Sequence, residues 1–385
     1  MTVGLIGVVL SFAAADGASM ELTLVLTEPA TASLDWGGIV RTASTPLARH
    51  QFGGLAAPME TALAYELDVA GLSAFRATVR PLRPSGPLKI ALYGDSRDGS
   101  APHRRLLEAM VRAEPDVVVN TGDVVATALD DPGWSEHLLA TLPLGAGAPL
   151  VLALGNHELY LPPDRAGALD PVEKVLAFLP APADALAAAK GAPRGVFHVR
   201  IGPALFVSID SNSPLGPGSA QRSFLEAALA DRRDARFVFV VLHHGPLSAG
   251  PHGAHPESDG LPELFARHHV TAVLSGHDHT YQRIQRDGVS YVVSGGGGAP
   301  LYSRTRPVRG LVTFAAAYHF ALITLDGDRA TIEARSIEGA LLDRAELGGR
   351  APDGPDPRPR LAALAASLVL SLGGIAWVIR RLLWS

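Results

Sequence analysis

From residue 88 onward the chain returns repeatedly to a short run of apolar, often β-branched residues that stops at a polar one. LKIALYGD stops at Asp95, DVVVNTGD at Asp123, PLVLALGNHE at Asn156 and His157, RFVFVVLHH at His243, and VTAVLSGHDH at His277 and His279. A strand with one wet face would show a polar residue at every second position. Unbroken runs of this length predict strands covered on both faces. Helix-like stretches at 103–113, 219–231 and 261–268 separate several of them, so residues 88–348 predict a layered α/β domain. In such folds the strand ends converge on a crevice where ligands bind. Gly295–Gly298 reads as a turn tip, since no helix pattern follows it.

Taken singly, each polar terminus has an ordinary explanation. An Asp after a strand caps a turn, and a His packs. Taken together, carboxylates, an amide oxygen and imidazoles at successive strand ends form a set that suits divalent first-row metals such as Mn, Fe and Zn. The chain has no cysteine, which excludes disulfides, thiolate ligands and a cysteine nucleophile. Its net charge of -5 supplies no general attraction to nucleic acid, and none is expected as a partner.

The series Gly94-Asp95, Gly122-Asp123, Gly155-Asn156-His157-Glu158, His243 and Gly276-His277-Asp278-His279 resembles the signature of the calcineurin-like metallophosphoesterases. The phrases HHGP at 243–246, GHDHTYQR at 276–283 and SGGGGA at 294–299 resemble the bacterial branch related to purple acid phosphatases. The resemblance implies a four-layer αββα catalytic domain preceded by a small β-sandwich. It also implies two divalent metal ions (Fe, Zn or Mn) and hydrolysis of small-molecule phosphomonoesters, phosphodiesters or nucleotides. Asp123 would bridge the metals, with Asp95 and His279 on the first and Asn156, His243 and His277 on the second. His157 would stand beside the phosphate as proton donor or charge stabiliser.

Two positions depart from that pattern. Arg97 stands where the family usually has a His, and Ala126 where purple acid phosphatases have a Tyr. The first metal is thus left with three obvious ligands and no tyrosinate. Arg97 reads either as a fork for phosphate oxygens or as a surface loop cation, and His103 is a remote substitute ligand. His243 and His244 are neighbours on a strand end and should point to opposite sides, leaving His244 to packing or substrate. His252, in SAGPHG, reads either as an exposed loop histidine, the plainer reading, or as a substrate contact overhanging the site. Two rival readings are a nuclease and a non-catalytic, single-metal surface module. The retained His157, which ligates nothing, speaks against the module.

Both termini carry apolar segments. Residues 1–19, with the run Val3–Ala15, read as an export signal, the alternative being a buried first strand. Residues 20–80 alternate (Leu22, Leu24, Leu26; Ala32, Leu34, Trp36; Phe75, Ala77, Val79) and read as a separate, fibronectin-III-like β-sandwich, with a linker at 81–87. A Pro-rich linker at 349–360 leads to 361–379, which is free of charge and flanked by Arg358, Arg360, Arg380 and Arg381. This predicts a transmembrane helix with a basic tail at 380–385, anchoring the protein outside the cytoplasmic membrane.

Overall fold

Consecutive residues of the apolar strands point to two different dry environments, and that is why the runs are unbroken. In the computed structural model, which describes residues 3–82, 86–97, 99–161, 167, 170–180, 195–232 and 235–348, two sheets pack face to face. Ile90 and Leu92 enter the core between the sheets, while Ala91 and Tyr93 face a helix layer.

The larger sheet contains β1 (Leu5–Phe12), β2 (Ser19–Trp36), β3 (Ile39–Ala56), β4 (Leu63–Val69), β5 (Phe75–Val79), β6 (Leu88–Tyr93), β7 (Val117–Asn120), β8 (Leu150–Leu152), β16 (His319–Asp326), β17 (Arg329–Ser336) and β18 (Leu341–Leu347). Its order is β18-β17-β16-β6-β7-β8-β1-β2-β4-β5, with β3 also paired to β2, and its centre, β6-β7-β8-β1, is parallel. The second sheet runs β15 (Leu311–Ala315), β13 (Tyr281–Arg286), β14 (Val289–Ser294), β12 (Ala272–Ser275), β11 (Phe237–Val241), β10 (Ala204–Ser208) and β9 (Phe197–Ile201). Its centre, from β14 to β10, is likewise parallel.

Between the sheets, Leu10, Leu22, Leu24, Ile90 and Val119 meet Phe206, Phe239, Leu274 and Val292. Each fully buried side chain of this size contributes about 1.5–3 kcal/mol. Outside the larger sheet lie α1 (Ser100–Ala113), α2 (Asp131–Gly145) and α3 (Pro171–Phe178), through Leu106, Met110, Trp134 and Val175. Outside the second lie α4 (Ala220–Ala230) and α5 (Leu261–Arg267), through Phe224, Leu225, Leu264 and Phe265. The layers are therefore helix, sheet, sheet, helix. Caps fix where helices begin: Asp130 accepts from Gly133 N, Asp170 from Val172 N, and Ser219 from Arg222 N.

Three readings of the amino-terminal region need correction. The run taken as an export segment is β1, inserted between β2 (Val8↔Leu24) and β8 (Ser11↔Leu150), with Val8 and Leu10 in the intersheet core. An apolar signal segment and a central strand share a composition, and only the available sheet edge distinguishes them. Residues 20–80 are not a separate sandwich, because β2, β4 and β5 continue the same sheet. Their Leu22, Leu34, Trp36 and Leu67 share one core with Ile90 and Val119. Within the presumed linker, Leu82 is buried in that core and its N–H donates to Pro58 O. The segments 349–360, 361–379 and 380–385 lie outside the described residues. Among the described residues no helix is long and apolar enough to cross a membrane.

His103 belongs to this architecture and not to a ligand set. It sits in α1, buried, its ring stacked between Tyr93 and His137 of α2 at centroid distances of 5.7 and 5.5 Å. Neither His103 Nε2 nor His137 Nδ1 has a hydrogen-bond partner. Burial holds both imidazoles neutral, His103 well below its usual range and His137 at about 4. The unfolded chain takes up these protons first, around 6.5, so the stability contributed above that pH is lost as the pH falls towards about 4. Each unit of difference carries about 1.4 kcal/mol. The melting temperature of His137→Phe should therefore depend less on pH between 6.5 and 4 than that of the wild type. An identical dependence in the two proteins would exclude this source.

Candidate metal centre

Every parallel strand that delivers a polar residue ends at the same edge of the two-sheet stack. β6 runs into Gly94-Asp95, β7 into Thr121-Gly122-Asp123, β11 into Leu242-His243, and β12 into Gly276-His277. The strand ends approach so closely that a side chain at the glycines cannot fit. A Cβ on Gly276 would lie 2.3 Å from Asp95 Oδ2, and one on Gly155 2.3 Å from Asp123 N. Asp95, Asp123 and His277 turn immediately afterwards through left-handed backbone, with φ of 59, 57 and 66°. Such conformations cost on the order of 1–3 kcal/mol for residues with a Cβ and persist where the surroundings over-determine them.

The surroundings here are hydrogen bonds. Asp95 N donates to Gly122 O at 2.9 Å, and His277 N donates to both Asp95 carboxylate oxygens at 3.0 and 3.1 Å. His157 N donates to Asp123 Oδ1 at 2.9 Å. Glu158, fully buried, accepts from Gly155 N at 2.8 Å, Asp123 N at 2.9 Å and Val124 N at 2.5 Å, tying the turn after β7 to the turn after β8. Burial and then the neighbouring Asp123 push its carboxyl up to about 7. Sequence reasoning passed over this role, although Glu158 stands inside the motif.

The ligand atoms of Asp95, Asp123 and His243 lie within 4.8 Å of one another, and so do those of His243, His244 and His277. His243 Nδ1 donates to Thr121 O at 2.8 Å, which turns Nε2 towards Asn156 Oδ1 at 3.0 Å and Asp123 Oδ1 at 3.4 Å. Burial opposes charge on His243, yet Asp123 and Asp95 hold it protonated up to about 10. Burial raises Asp95 well above the usual carboxylate range, with Asp123 adding to the shift. Asp123 itself is buried too, but His243 and His157 draw it below that range. A field that favours a proton at His243 Nε2 favours a metal cation there. Asp123, Asn156, His243 and His277 therefore fit a first-row divalent ion in donor chemistry.

The other side of Asp123 is different. His279 Nδ1 donates to Pro300 O at 2.6 Å, and its Nε2 meets Arg97 Nη2 at 2.9 Å. His157 Nδ1 donates to Ala126 O at 2.7 Å, and its Nε2 meets Arg97 Nη1 at 2.5 Å. Arg97 Nε lies 4.0 Å from Asp123 Oδ2, and the side chain is 15% exposed, so Arg97 is part of the site and not a surface cation. Burial and the guanidinium lower His279 to about 4.

His244 departs from the expected geometry. β11 ends at Val241, so the pleat has stopped before 243–244, and both rings lie against His277, at centroid distances of 5.1 and 4.2 Å. Ser211 Oγ pairs with His244 Nδ1 at 2.8 Å. The His252 ring lies 4.1 Å from that of His277, with Nδ1 on Asp278 Oδ1 at 2.8 Å, and its side chain stays partly exposed. Tyr302, stacked on His279 at 4.1 Å, was invisible to sequence reasoning because nothing in its surrounding loop marks it.

The family model of the calcineurin-like phosphoesterases matches residues 88–281. Tartrate-resistant acid phosphatase type 5 of the rabbit (Oryctolagus cuniculus) is 39% identical over 79 residues, 20% of this chain and 24% of that protein. The match thus spans about a quarter of that relative's length. Among solved structures, purple acid phosphatase PPD1 of yellow lupin superposes with a TM-score of 0.73 at 16% identity, over 88% of this chain and 73% of that one. PhoD superposes with a TM-score of 0.65 at 11% identity, over 91% and 92%. At these identities the structural likeness establishes the fold.

The Glu158 carboxylate generates a test. Glu158→Ala leaves buried N–H groups of two turns without an acceptor, and each such loss costs about 1–3 kcal/mol. Denaturant unfolding should show a loss of about 3 kcal/mol or more. A loss below about 1 kcal/mol would mean that other contacts hold the turns together.

Proposed function

Because the chain belongs to the calcineurin-like phosphoesterase family, we propose that it hydrolyses small-molecule phosphate esters with a divalent cation held by Asp123, Asn156, His243 and His277. The observation that carries this reading is the convergence of the ligand atoms of Asp95, Asp123 and His243 within 4.8 Å, beside His157, which belongs to neither donor cluster. Any second cation would share Asp123, with Asp95 and His279 completing its side. A cation of this class (Mn, Fe or Zn) supplies Lewis-acid polarisation and eases the deprotonation of water.

The chain's own residues do the rest. Arg97, anchored by His157 and His279, presents a guanidinium to phosphoryl oxygens, a bidentate match that a lysine would not make. His157, oriented by Ala126 O, holds Nε2 towards the centre, 3.9 Å from Asp123 Oδ2, where it acts as proton donor or charge stabiliser for the departing oxygen once the phosphate has drawn Arg97 off it. His244 and His252 flank His277 and line the approach for the phosphate. The net charge of -5 favours small phosphoesters over polynucleotides.

His157→Ala should lower kcat by about 10²–10⁴-fold on an aryl phosphate while the metal content stays at the wild-type level. Loss of metal in that variant would make His157 a ligand or a support, and not a proton donor. Asp123→Asn removes a buried negative charge at the centre, so both hydrolysis and metal content should fall; full activity in that variant would sink the metal-dependent reading.

The membrane placement is part of the same proposal. Segment 361–379, between its arginine pairs, would anchor the enzyme with residues 3–348 outside the cytoplasmic membrane; the rival, a tail anchor with the catalytic domain on the cytoplasmic side, is the one that a retained β1 favours. Protease added to intact spheroplasts should then digest the catalytic domain. Protection until lysis would place it on the cytoplasmic side.

A further inference from the structure

We infer that the Arg97 guanidinium takes the place of one of the two cations that the family resemblance implies, so that the chain holds a single metal ion, on the Asn156–His243–His277 side of Asp123. This rests on the reading of the site as a metal-dependent phosphoesterase.

The argument is one of donors and lone pairs. An imidazole whose Nδ1–H is committed to a carbonyl has one lone pair left, on Nε2. His279 is committed to Pro300 O at 2.6 Å and His157 to Ala126 O at 2.7 Å. Both remaining lone pairs are met by Arg97, at 2.9 Å from Nη2 and 2.5 Å from Nη1. A guanidinium carries donors only and does not deprotonate in proteins, so these bonds occupy the nitrogen that a metal on that side requires.

The backbone delivers the group as well. Arg97 N donates to Asp123 O at 3.0 Å, and the residue holds φ at 31°, so the loop itself aims the side chain into the centre. His279 also stands outside both donor clusters found among the described residues, with Nε2 3.6 Å from Asp95 Oδ1. Its side of Asp123 is left with the two carboxylates. On the opposite side, among the described residues, no arginine or lysine bonds to Asn156 Oδ1, His243 Nε2 or Asp123 Oδ1, and His243 Nε2 can release its proton to a metal as a guanidinium cannot.

Charge leads to the same division. Two buried carboxylates, Asp95 and Asp123, are balanced by one divalent ion, and the guanidinium then adds the positive charge that an incoming phosphate needs. A divalent ion placed on the Arg97 side would sit against a fixed cation in a buried, weakly screened site. Arg97 keeps two duties of the displaced cation, neutralising Asp123 and gripping phosphoryl oxygen. It gives up the third, the polarisation of water.

The test uses the full chain, stripped with chelator, reloaded with Mn(II) and freed of excess metal. Mn per chain is counted by mass spectrometry and the ion's environment read by electron paramagnetic resonance. The wild type should hold one Mn per chain with an uncoupled spectrum. Arg97→His, which removes the cation and restores an imidazole, should hold two with an exchange-coupled spectrum. Circular dichroism checks that the variant folds; if it does not, the wild-type count and spectrum decide alone. Two coupled ions in an actively hydrolysing wild type would overturn the single-ion inference and leave the phosphoesterase reading standing. One ion in both proteins, with the variant folded, would overturn Arg97 as the excluding group. A wild type that binds no Mn and hydrolyses nothing would overturn the phosphoesterase reading, and this inference with it.

Discussion

Two carboxylates with almost no contact with water, Asp95 and Asp123, sit at the meeting point of two sheets. Removing ions from water costs several kcal/mol each even after relaxation, and a fold tolerates it only where positive charge and hydrogen-bond donors are arranged to answer it. Much of the local structure can be understood as that arrangement. His243 Nε2 and the Arg97 guanidinium approach different oxygens of Asp123, and backbone N–H groups of His157 and His277 point at the carboxylate oxygens of Asp123 and Asp95. The strained left-handed turns at Asp95, Asp123 and His277 bring those N–H groups to bear. The glycine before each of the three lets neighbouring strand ends close up.

The imidazoles follow the same logic at one remove. Each of His157, His243 and His279 spends its Nδ1 on a main-chain carbonyl, of Ala126, Thr121 and Pro300. Main-chain carbonyls move little, so the ring planes and the direction of every Nε2 are set by the fold and not by rotamer preference. Glu158 applies the same device to the backbone, joining two turns through one carboxylate. The centre is therefore rigid before any ligand arrives, as electrostatic catalysis requires.

The surrounding architecture supplies a stiff frame for this charge balance. Because β1 lies between β8 and β2, the amino-terminal strands and the catalytic strands share one sheet and one core. Loosening β1 would open the sheet edge next to β8, whose following turn carries Asn156 and His157.

The residue types that meet at the centre were legible in the sequence. An unbroken apolar run must be a strand dry on both faces, so a polar residue closing several such runs must lie at a shared strand-end crevice. That reasoning reaches Asp95, Asp123, Asn156, His157, His243 and His277 without coordinates, and it reaches the layered α/β class. It fails where composition is degenerate or direction is decided at a distance. The run 3–15 has the same residues whether it leaves a membrane or enters a sheet, and only the free edge of β8 made it β1. His244 was assigned to the opposite face because strand alternation was extended past Val241, where the pleat has already ended. His103 counted as a ligand only until α1 turned it towards His137. Arg97 could be read as a phosphate fork or a surface cation, because what it touches, His157 and His279, lies 60 and 182 residues away. Sequence order determined which chemistry the chain could hold, since residue type and strand period are local. Tertiary structure alone decided which lone pairs face a guanidinium and which remain for a metal, because that depends on carbonyls and turns contributed by distant segments.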